Sequence, residues 1–408
     1  MSRRLILPLI LISVLLVAEI FSYVAIRAYF QTNSQISLKK FTWIWWGLTV
    51  LIYVSVFTSR SLNSMYLSHV LVNVFFFLLI CKLFVGLFFL GSQLILFLKD
   101  LFIQKDAGEE FIQSRRSLIS KLALTSALIP FSTLTYGLFR TAYHFKIHRN
   151  KVRSSKIPKS FSGFRIVQIS DIHTGSLQNE HQLQKAIDMV MELKADLIVF
   201  TGDLVNNRTE EAYPYEHVLR QLKAPYGVYS TLGNHDYGDY EQWKSKEAKD
   251  QNMRDMIDLH HKLGWKLMLN EHVHIEKDGE HFCLIGIENW GGNLHFKRYG
   301  DLPKAYQNVD SEQFQILLSH DPSHWSIEVL EDFPKVDLTL SGHTHGFQFG
   351  VEIPGFKWSP SKYFYPQWAG LYEKNGQQLY VNRGLGCLGY MGRIGIRPEI
   401  TLLELSPA

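Results

Sequence analysis

Long apolar runs confined to the first 140 residues constrain this chain more than any other feature. They occupy residues 5–26, 41–57, 67–98 and 118–139. A helix needs about 20 mostly apolar residues to cross a bilayer, and the tryptophans at one end of the second run (Trp43, Trp45 and Trp46) are typical of a membrane interface. Residues 1–140 therefore predict an all-α transmembrane region of about four helices, in which 67–98 forms one long helix.

Two details of this region leave alternatives open. Arg3 and Arg4 precede the first run, as they would in a cleavable signal peptide. The sequence after that run offers no clear small-x-small cleavage site, which favours a retained helix. Glu19 and Lys82 are ionisable residues inside apolar runs. Such residues often mark a pathway through a membrane, although a Glu19–Lys82 pair inside the bundle is the simpler interpretation.

The two halves of the chain carry opposite charge. Of the 42 Lys and Arg and 38 Asp and Glu residues, 15 and 5 lie in residues 1–150, which leaves +10 there and −6 in residues 151–408. An acidic second half opposes binding to nucleic acid, which favours a basic surface. The three cysteines (Cys81, Cys283 and Cys387) form no CxxC pair, so neither a disulfide framework nor a zinc ribbon is indicated.

The basic residues that flank the runs bear on membrane orientation. Four spans place both termini on one side, where ten Lys and Arg residues against eight on the other favour the cytoplasm for the second half. The sequence around Arg115 and Arg116, however, resembles a twin-arginine export signal. Such a signal would place the second half outside the cytoplasm, so both orientations stay open.

Beyond the apolar runs the pattern changes. Residues 141–160 are basic and polar, and we expect a juxtamembrane linker with charges able to contact anionic lipid. Apolar residues recur with helical spacing over 181–193, where Asn179 is a candidate N-cap. Eight β-rich runs follow the linker, at residues 164–170, 197–201, 228–232, 282–287, 314–319, 336–341, 379–382 and 400–405. Strands alternating with helices predict an α/β domain over residues 161–408.

Polar side chains follow five of these runs, at the point where each predicted strand ends. They are Asp171 and His173, then Asp203, then Asn234 with His235 and Asp236, then His320, and finally His343 with His345. Ligands of α/β sheets bind beyond the carboxyl ends of the strands, so we expect the five strand ends to converge. The glycines before Asp203, Asn234 and His343 permit close approaches that a side chain would exclude.

The residue types predict a particular kind of metal site. The set combines imidazoles, carboxylates and an amide without a thiolate, which suits Mn, Fe or Zn at a hydrolytic site. About seven side chains are more than one ion takes, so a site for two ions is expected. Two ions about 4 Å apart can clamp a phosphoryl oxygen and activate a water for attack at phosphorus.

The motif order Asp-x-His, Gly-Asp, Gly-Asn-His-Asp, His and Gly-His-x-His resembles the calcineurin-like metallophosphoesterases. Within that family, residues 319–322, 342–348 and 382–401 resemble the YkuE-like, membrane-associated branch. The resemblance covers roughly residues 160–405. It implies a four-layer α/β/β/α sandwich, two divalent ions (Mn first, Fe or Zn otherwise) and a multi-pass protein of the bacterial inner (cytoplasmic) membrane.

The family pattern also implies roles for individual residues. It makes His235 the catalytic histidine, which contacts a phosphate oxygen or protonates the leaving group, and Asp236 its hydrogen-bonding partner. Phe347 departs from the pattern, because the branch often has a second glycine there, and this puts the substrate in doubt rather than the metals. The implied ligands are Asp171, His173, Asp203 and His345 for one ion and Asp203, Asn234, His320 and His343 for the other, with Asp203 bridging.

The expected reaction is hydrolysis of a phosphodiester or pyrophosphate. A membrane region and the aromatic segment 347–372 favour an amphiphilic or lipid-linked substrate such as UDP-2,3-diacylglucosamine, although these aromatics also fit an ordinary core. A membrane sensor or transport-associated protein with a catalytically weak phosphoesterase-like domain is the alternative. The sequence leaves the oligomeric state open. The remaining histidines of the second half are expected to be exposed, namely His260, His261, His272, His274 and His281.

Overall fold

The computed structural model describes residues 3–33, 37–59, 65–102, 109–292 and 296–408. It separates into two compact units, Met1–Gly137 and Leu138–Ala408. We refer to them as the helical unit and, after the hydrolytic site that the sequence leads us to expect there, the catalytic unit. Arg60 and Lys105, which entered the comparison of flanking charges, lie outside the described residues.

The described residues of the helical unit form five helices. They are α1 (Arg3–Asn33), α2 (Leu38–Ser59), α3 (Met65–Phe102), α4 (Glu109–Ser126) and α5 (Leu128–Phe139). Three stretches of the described residues are long and apolar enough to cross a membrane: Ser13–Gln31, Val70–Lys99 and Ser117–Tyr143. The run at 41–57 is helical as expected and lies in α2, but it is not among these three stretches. Four spans were expected, and three candidates are found.

Helix α3 is a single helix, as the sequence predicts for residues 67–98. Its 38 residues extend about 57 Å at 1.5 Å per residue, well beyond a hydrocarbon layer of about 30 Å. The last span behaves differently, because α4 and α5 are interrupted at Ala127. Pro130 explains the break, since its ring clashes with the carbonyl of the residue four positions earlier, which is Ser126.

The catalytic unit contains fourteen strands within its described residues. They are β1 (Lys146–Ser154), β2 (Arg165–Ile169), β3 (Leu197–Phe200), β4 (Val228–Ser230), β5 (Lys266–Leu267), β6 (Glu271–Lys277), β7 (Glu280–Gly286), β8 (Gln315–Leu318), β9 (Leu338–Ser341), β10 (Val351–Ile353), β11 (Phe356–Trp358), β12 (Gly370–Lys374), β13 (Gln377–Val381) and β14 (Glu399–Pro407). One six-stranded sheet has the order β1-β14-β2-β3-β4-β5, and the other has the order β12-β13-β9-β8-β7-β6. Strands β10 and β11 form a separate hairpin.

Helices cover the outer faces of the two sheets. They are α6 (Glu180–Glu192), α7 (Glu216–Leu219), α8 (Lys246–Leu263), α9 (Leu302–Ala305) and α10 (Leu330–Asp332). One core lies between the sheets, where Ile166 and Val199 of the first sheet meet Leu284 and Leu340 of the second. Separate cores join the first sheet to α6 and α8 and the second sheet to α9 and α10. The unit is therefore the four-layer α/β/β/α sandwich that the sequence predicts.

Two local expectations differ from the structure. Residues 146–154 were expected in a linker, whereas they form β1 and pair in parallel with β14 along nine residues. The basic side chains there suit the edge of a sheet, where charge opposes pairing with another chain. His260 was expected to be exposed, but it is fully buried in α8, where its ring packs against Trp265 and its Nδ1 contacts the Met256 carbonyl at 2.9 Å.

The strand directions bring the predicted site residues together. Strands β2, β3 and β4 are parallel to one another, and so are β7, β8, β9 and β13. Their carboxyl ends therefore lie at one edge of each sheet. The two edges meet, because the backbone N–H of His343 after β9 donates to Asp171 Oδ1 after β2 at 2.9 Å.

Candidate metal centre

The backbone at the strand ends is strained. Five predicted ligands have φ between 50° and 69°, in the left-handed region: Asp171, His173, Asp203, His343 and His345. This conformation is uncommon outside glycine, and sparsely populated backbone states of this kind cost of order 1–3 kcal/mol each. Five instances at one place indicate that the surrounding structure holds these side chains in directions that ordinary strand ends do not give.

Two glycines make the close packing at this edge possible. A Cβ on Gly233 would lie against Oδ1 and the backbone nitrogen of Asp203, and one on Gly342 would lie against Asp171 Oδ2 and Ser170 Oγ. Any larger residue at either position would push a predicted ligand aside. The glycines ahead of Asn234 and His343 in the sequence therefore have the steric role that the motif predicts.

One group of ligand atoms comes from Asp171, His173 and His345. Their ligand atoms lie within 4.8 Å of one another, and all three residues are buried. His173 Nε2 is 3.0 Å from His345 Nε2, and His345 Nε2 is 3.4 Å from Asp171 Oδ1. Two imidazole nitrogens and a carboxylate oxygen thus converge on one point.

A second group comes from Asp203, His320 and His343, whose ligand atoms also lie within 4.8 Å of one another. His320 Nε2 is 3.1 Å from Asp203 Oδ2, and it is 3.2 Å from His343 Nδ1. The same Asp203 oxygen is 3.6 Å from His173 Nε2 in the first group. Asp203 therefore lies between the groups, where a bridging ligand is required.

Asn234 lies beside the second group, because it lines one cleft together with Asp203 and His343. Its side chain is 4% exposed, and its Nδ2 donates to Tyr240 Oη at 2.9 Å. Its Oδ1 is buried and has no hydrogen-bond partner among the described residues. Because a buried acceptor without a partner is costly, this oxygen fits the role of a metal ligand. The donor set of imidazole, carboxylate and amide thus fits two divalent ions of the kind expected.

The ionisation of these groups also suits cation binding. Burial lowers the pKa of His173 to about 3 and that of His343 to about 4, and it takes the pKa of His345 well below its usual value. These rings are therefore neutral near pH 7, with a free lone pair. Burial would also lower the pKa of His320, but the Asp203 carboxylate outweighs it and raises that pKa to about 10. Metal binding at His320 would accordingly release a proton.

His235 lies half-buried at the mouth of the centre. Its backbone N–H donates to Asp203 Oδ1 at 2.9 Å, and its Nδ1 is 2.7 Å from the carbonyl oxygen of Asn206. A carbonyl can only accept, so Nδ1 carries a proton and Nε2 is left for a ligand. The ring also packs edge-on against His173, with centroids 5.0 Å apart.

Asp236 has a different role from the one expected. It was expected to hydrogen-bond His235, which the Asn206 carbonyl does instead. The Asp236 carboxylate accepts backbone N–H groups from Asp203 and Leu204 at 2.8 Å, Gly233 at 2.9 Å and Val205 at 3.2 Å. It therefore ties the loops after β3 and β4 together, and burial raises its pKa to about 7.

Three residues that the motifs do not include also hold the site. Asn206 contacts His173 Nδ1 through its side chain at 3.0 Å and His235 through its carbonyl. Arg393 is fully buried and donates to the carbonyls of Gly384 and Gly386 behind His345. Tyr365 Oη contacts His343 Nε2 at 2.7 Å. Asn206 was within reach of sequence reasoning, since it follows Asp203 by three positions, whereas nothing in the pattern singles out Arg393.

A cleft of about 390 Å³ opens above the ligands. It is lined by Asp203, Asn234, His235, Tyr240, Phe296, His343, His345, Tyr365 and Leu388. Polar ligand atoms therefore form its floor, and aromatic and aliphatic side chains form much of its wall. Such a cleft can hold a polar phosphate beside a less polar group.

Two family models match the chain. One, described as calcineurin-like phosphoesterase, matches residues 164–347. The other, described as probable calcineurin-like phosphoesterase, transmembrane domain, matches residues 3–142. The matched regions correspond to the first part of the catalytic unit and to the helical unit.

Named relatives agree with these matches. A transmembrane protein with metallophosphoesterase domain from Danio rerio is 32% identical over 74% of this chain and 66% of that protein. Its namesake from Bos taurus is 30% identical over 71% of this chain and 64% of that protein. The uncharacterized metallophosphoesterase YkuE from Bacillus subtilis is 29% identical over 74% of this chain and 99% of that protein. The match thus spans just under two thirds of the vertebrate relatives.

Among solved structures, a dimetal phosphatase from Danio rerio has a TM-score of 0.32 and 12% identity over 55% of this chain and 88% of that chain, a likeness too distant to bear on the site. The two matched regions, the sandwich and the side chains at its strand ends agree with one another. This chain belongs to the calcineurin-like metallophosphoesterases and carries a transmembrane phosphoesterase domain ahead of the catalytic one.

Proposed function

We propose that this protein hydrolyses a phosphodiester or pyrophosphate with two divalent ions. Asp171, His173 and His345 would hold one ion, and Asn234, His320 and His343 the other, with Asp203 shared. One observation carries the proposal: Asp203 of the second group of ligand atoms also lies 3.6 Å from His173 of the first, beside a cleft that His235 lines. Manganese is the first candidate, because the donor set combines imidazole with oxygen ligands, and iron or zinc follow.

The chain's own residues supply binding, orientation and proton transfer. When bound, two such ions neutralise charge on phosphoryl oxygens and lower the pKa of a water. Since the Asn206 carbonyl keeps the proton of His235 on Nδ1, a proton that the ring transfers would be carried as an N–H at Nε2. That group can donate to a phosphoryl oxygen or protonate the departing oxygen. Asp236 keeps the loops that carry Asp203 and His235 in register.

The substrate class follows from the cleft and the membrane region. The wall residues Tyr240, Phe296, Tyr365 and Leu388 favour an amphiphilic phosphoester over a small, fully polar one. A lipid-linked pyrophosphate such as UDP-2,3-diacylglucosamine combines both properties. The proposed location is the bacterial inner membrane, which the chain would cross several times, with the catalytic unit in the cytoplasm. A reporter fused after Ala408 tests that orientation, and reporter activity specific to the exterior would reverse it.

The test of the reaction is an assay of the purified full-length protein with Mn²⁺. Bis-p-nitrophenyl phosphate, glycerophospholipids and the nucleotide lipid are the substrates, and chelation should remove turnover. Asp203→Asn should lower turnover by about a thousandfold or more, because it weakens the shared ligand. Asp278→Asn is the matched control, since Asp278 is exposed and has the same left-handed backbone, with φ of 51°.

The outcomes separate the parts of the proposal. Near-normal turnover in metal-loaded Asp203→Asn protein would contradict the two-metal assignment. Hydrolysis of the generic diester alone would exclude a dedicated role in nucleotide-lipid cleavage. Metal binding without hydrolysis of any substrate would favour the alternative of a membrane sensor.

A further inference from the structure

The hairpin of β10 and β11 turns an apolar face outward. Its register places Val351 opposite Trp358 and Ile353 opposite Phe356, so these four side chains share one face. Val351, Ile353 and Phe356 are 44%, 58% and 54% exposed. A hairpin that packs on a protein usually buries such a face, because exposed apolar surface of this extent is unfavourable in water.

The opposite face of the hairpin is fastened to the catalytic unit. Glu352 lies between Val351 and Ile353 and pairs with the buried Arg383 at 2.8 Å. Lys357 lies between Phe356 and Trp358 and donates to the carbonyl of Ala369 at 2.5 Å. The polar face is therefore the anchored one, and the outward direction of the apolar face is fixed by these contacts.

Further exposed aromatic residues lie in the segments that flank the hairpin in the chain. The rings of Phe347 and Phe364 stack with centroids 6.3 Å apart and planes at 4°, and they are 55% and 68% exposed. Phe349 is 43% exposed and packs against Trp358. Phe347 keeps a left-handed backbone, with φ of 57°, which is unfavourable for a bulky side chain. We call Phe347, Phe349, Val351, Ile353, Phe356 and Phe364 the aromatic face.

A segment of the catalytic unit links the residues after the last candidate span to those ahead of the hairpin. That span ends at Tyr143, and Arg397 donates to the carbonyls of the next two residues, His144 and Phe145, at 2.8 and 3.0 Å. Three positions before Arg397, Ile394 exchanges backbone hydrogen bonds with Gln348 and Gly350 at 2.7 and 2.9 Å. Residues 394–397 thus contact residues 144–145, just after the last candidate span, and residues 348–350, just before β10.

The same segment also connects to the cleft. Gln348 Oε1 accepts from the backbone N–H of Leu388 at 2.6 Å, and Leu388 lines the cleft together with Tyr365. Tyr365 follows Phe364 directly in the chain. The mouth of the cleft is therefore bordered by residues adjacent to the aromatic face.

We infer that the aromatic face inserts into the bilayer surface and seats the catalytic unit there, with the cleft mouth at the level of the lipid headgroups. Phe and Trp side chains on a rigid hairpin suit the boundary between headgroups and acyl chains. The chain carries three candidate membrane spans ahead of the catalytic unit, so a bilayer is the partner that the chain itself brings within reach of this surface. The inference concerns attachment alone and stands whether or not the proposed substrate is correct.

The test places an environment-sensitive fluorophore on single cysteines of the full-length protein. Phe356→Cys and Val351→Cys report on the aromatic face, and Glu312→Cys, at an exposed site before β8, is the matched control. The protein is reconstituted in phosphatidylcholine–phosphatidylglycerol vesicles with and without a phosphatidylcholine that carries a nitroxide on its acyl chain. The native Cys283 and Cys387 are buried and Cys81 is partly buried, so the parent protein treated with label gives the background.

Insertion predicts blue-shifted emission and strong nitroxide quenching at Phe356→Cys and Val351→Cys, with little of either at Glu312→Cys. The quenching should place both labels about 5–10 Å below the headgroup boundary. Emission typical of water at both sites would overturn the inference. A blue shift without lipid quenching would also overturn it, since the cover would then be protein, either a second copy or another partner.

Discussion

The buried polar groups of the helical unit and those at the metal centre of the catalytic unit are arranged in opposite ways. In the helical unit, Lys82 Nζ lies 2.8 and 3.0 Å from the two carboxylate oxygens of Glu19. Thr49 accepts from the same ammonium at 3.1 Å, and the ammonium lies 4.7 Å from the centroid of the Trp45 ring. The Glu19–Lys82 pair expected from the sequence is therefore present, and its hydrogen-bonding groups are partnered within the bundle.

At the metal centre of the catalytic unit, the buried polar atoms of the predicted ligands face one another instead. His173 Nε2 and His345 Nε2 are 3.0 Å apart, and Asn234 Oδ1 has no hydrogen-bond partner among the described residues. The backbone there is strained as well. A satisfied buried pair holds helices together, whereas converging acceptors on a strained backbone indicate a site built for a cation.

His235 gives the sharpest test of this difference, since it lines the cleft but belongs to neither group of ligand atoms. We expect His235→Asn to lower kcat by about 10²–10⁴-fold, as loss of a proton-transferring side chain does. Bound metal, measured by elemental analysis, should stay unchanged. Loss of metal together with activity would show that His235 is a metal ligand, and the assignment of His235 as a proton donor outside the ligand groups would be wrong.

Lys82 tests whether the buried pair of the helical unit contributes to stability rather than to catalysis. Lys82→Met leaves Glu19 buried without its cation, and breaking a buried pair in this way costs about 3–5 kcal/mol. Thermal unfolding of the full chain in detergent should show the loss, while kcat of the folded protein at lower temperature stays near the parent value.

A double variant supplies the control. Glu19→Gln combined with Lys82→Met removes both charges and should recover most of the lost stability, because no uncompensated charge is left. Loss of turnover in folded Lys82→Met protein would show that the pair serves catalysis or transport, and the contrast between the units would fail.

Asn206 is expected to give a smaller effect. Its side chain positions His173 through a 3.0 Å contact with Nδ1, and partners of this type change metal affinity by about 10–100-fold. We expect Asn206→Ala to weaken metal binding by that factor, and excess Mn²⁺ should restore much of the activity. Activity that stays low at saturating metal would mean that the backbone carbonyl holding His235 has moved as well.

The sequence predicted the parts of the fold that hydrophobic pattern controls. All eight β-rich runs of the second half are strands, and helix α6 has the expected cap, with Asn179 Oδ1 accepting from the His181 N–H at 2.9 Å. The predicted ligands cluster because the carboxyl ends of parallel strands lie at one edge of a sheet. The sequence indicates this arrangement, since each motif directly follows a predicted strand.

The features of the fold and of the site that the sequence did not predict depend on contacts between distant segments of the chain. Strand β1 exists because 146–154 finds β14 some 250 positions later, and its polar sequence gives no sign of a strand. The partners of Asp236 are backbone N–H groups, which have no sequence signature. Arg393 binds carbonyls behind His345, and only the folded chain shows that those carbonyls lie together.

Glu211 tests whether a satisfied buried charge inside the catalytic unit behaves like the one in the helical unit. Its carboxylate accepts backbone N–H groups from Asn206, Asn207 and Arg208 at 2.6, 3.1 and 3.1 Å. Burial nevertheless raises its pKa from 4.5 to about 7, so the folded state holds a proton that the unfolded state releases. The free energy of unfolding should therefore fall as pH rises from about 4.5 to 7, by at most about 1.4 kcal/mol per pH unit.

Glu211→Gln should remove this pH dependence of the free energy of unfolding. Thermal unfolding of both proteins at several pH values separates the contribution of Glu211 from that of the other titrating groups. The glutamine offers one oxygen in place of two to the three backbone N–H groups, so the variant should be less stable than the parent above pH 5. The difference in free energy of unfolding should become smaller toward pH 7, because the parent carboxyl group then ionises. Parallel stability curves for the two proteins would show that the three N–H groups keep this carboxylate ionised. Glu211 would then resemble Glu19 in having both carboxylate oxygens held by partners within its own unit.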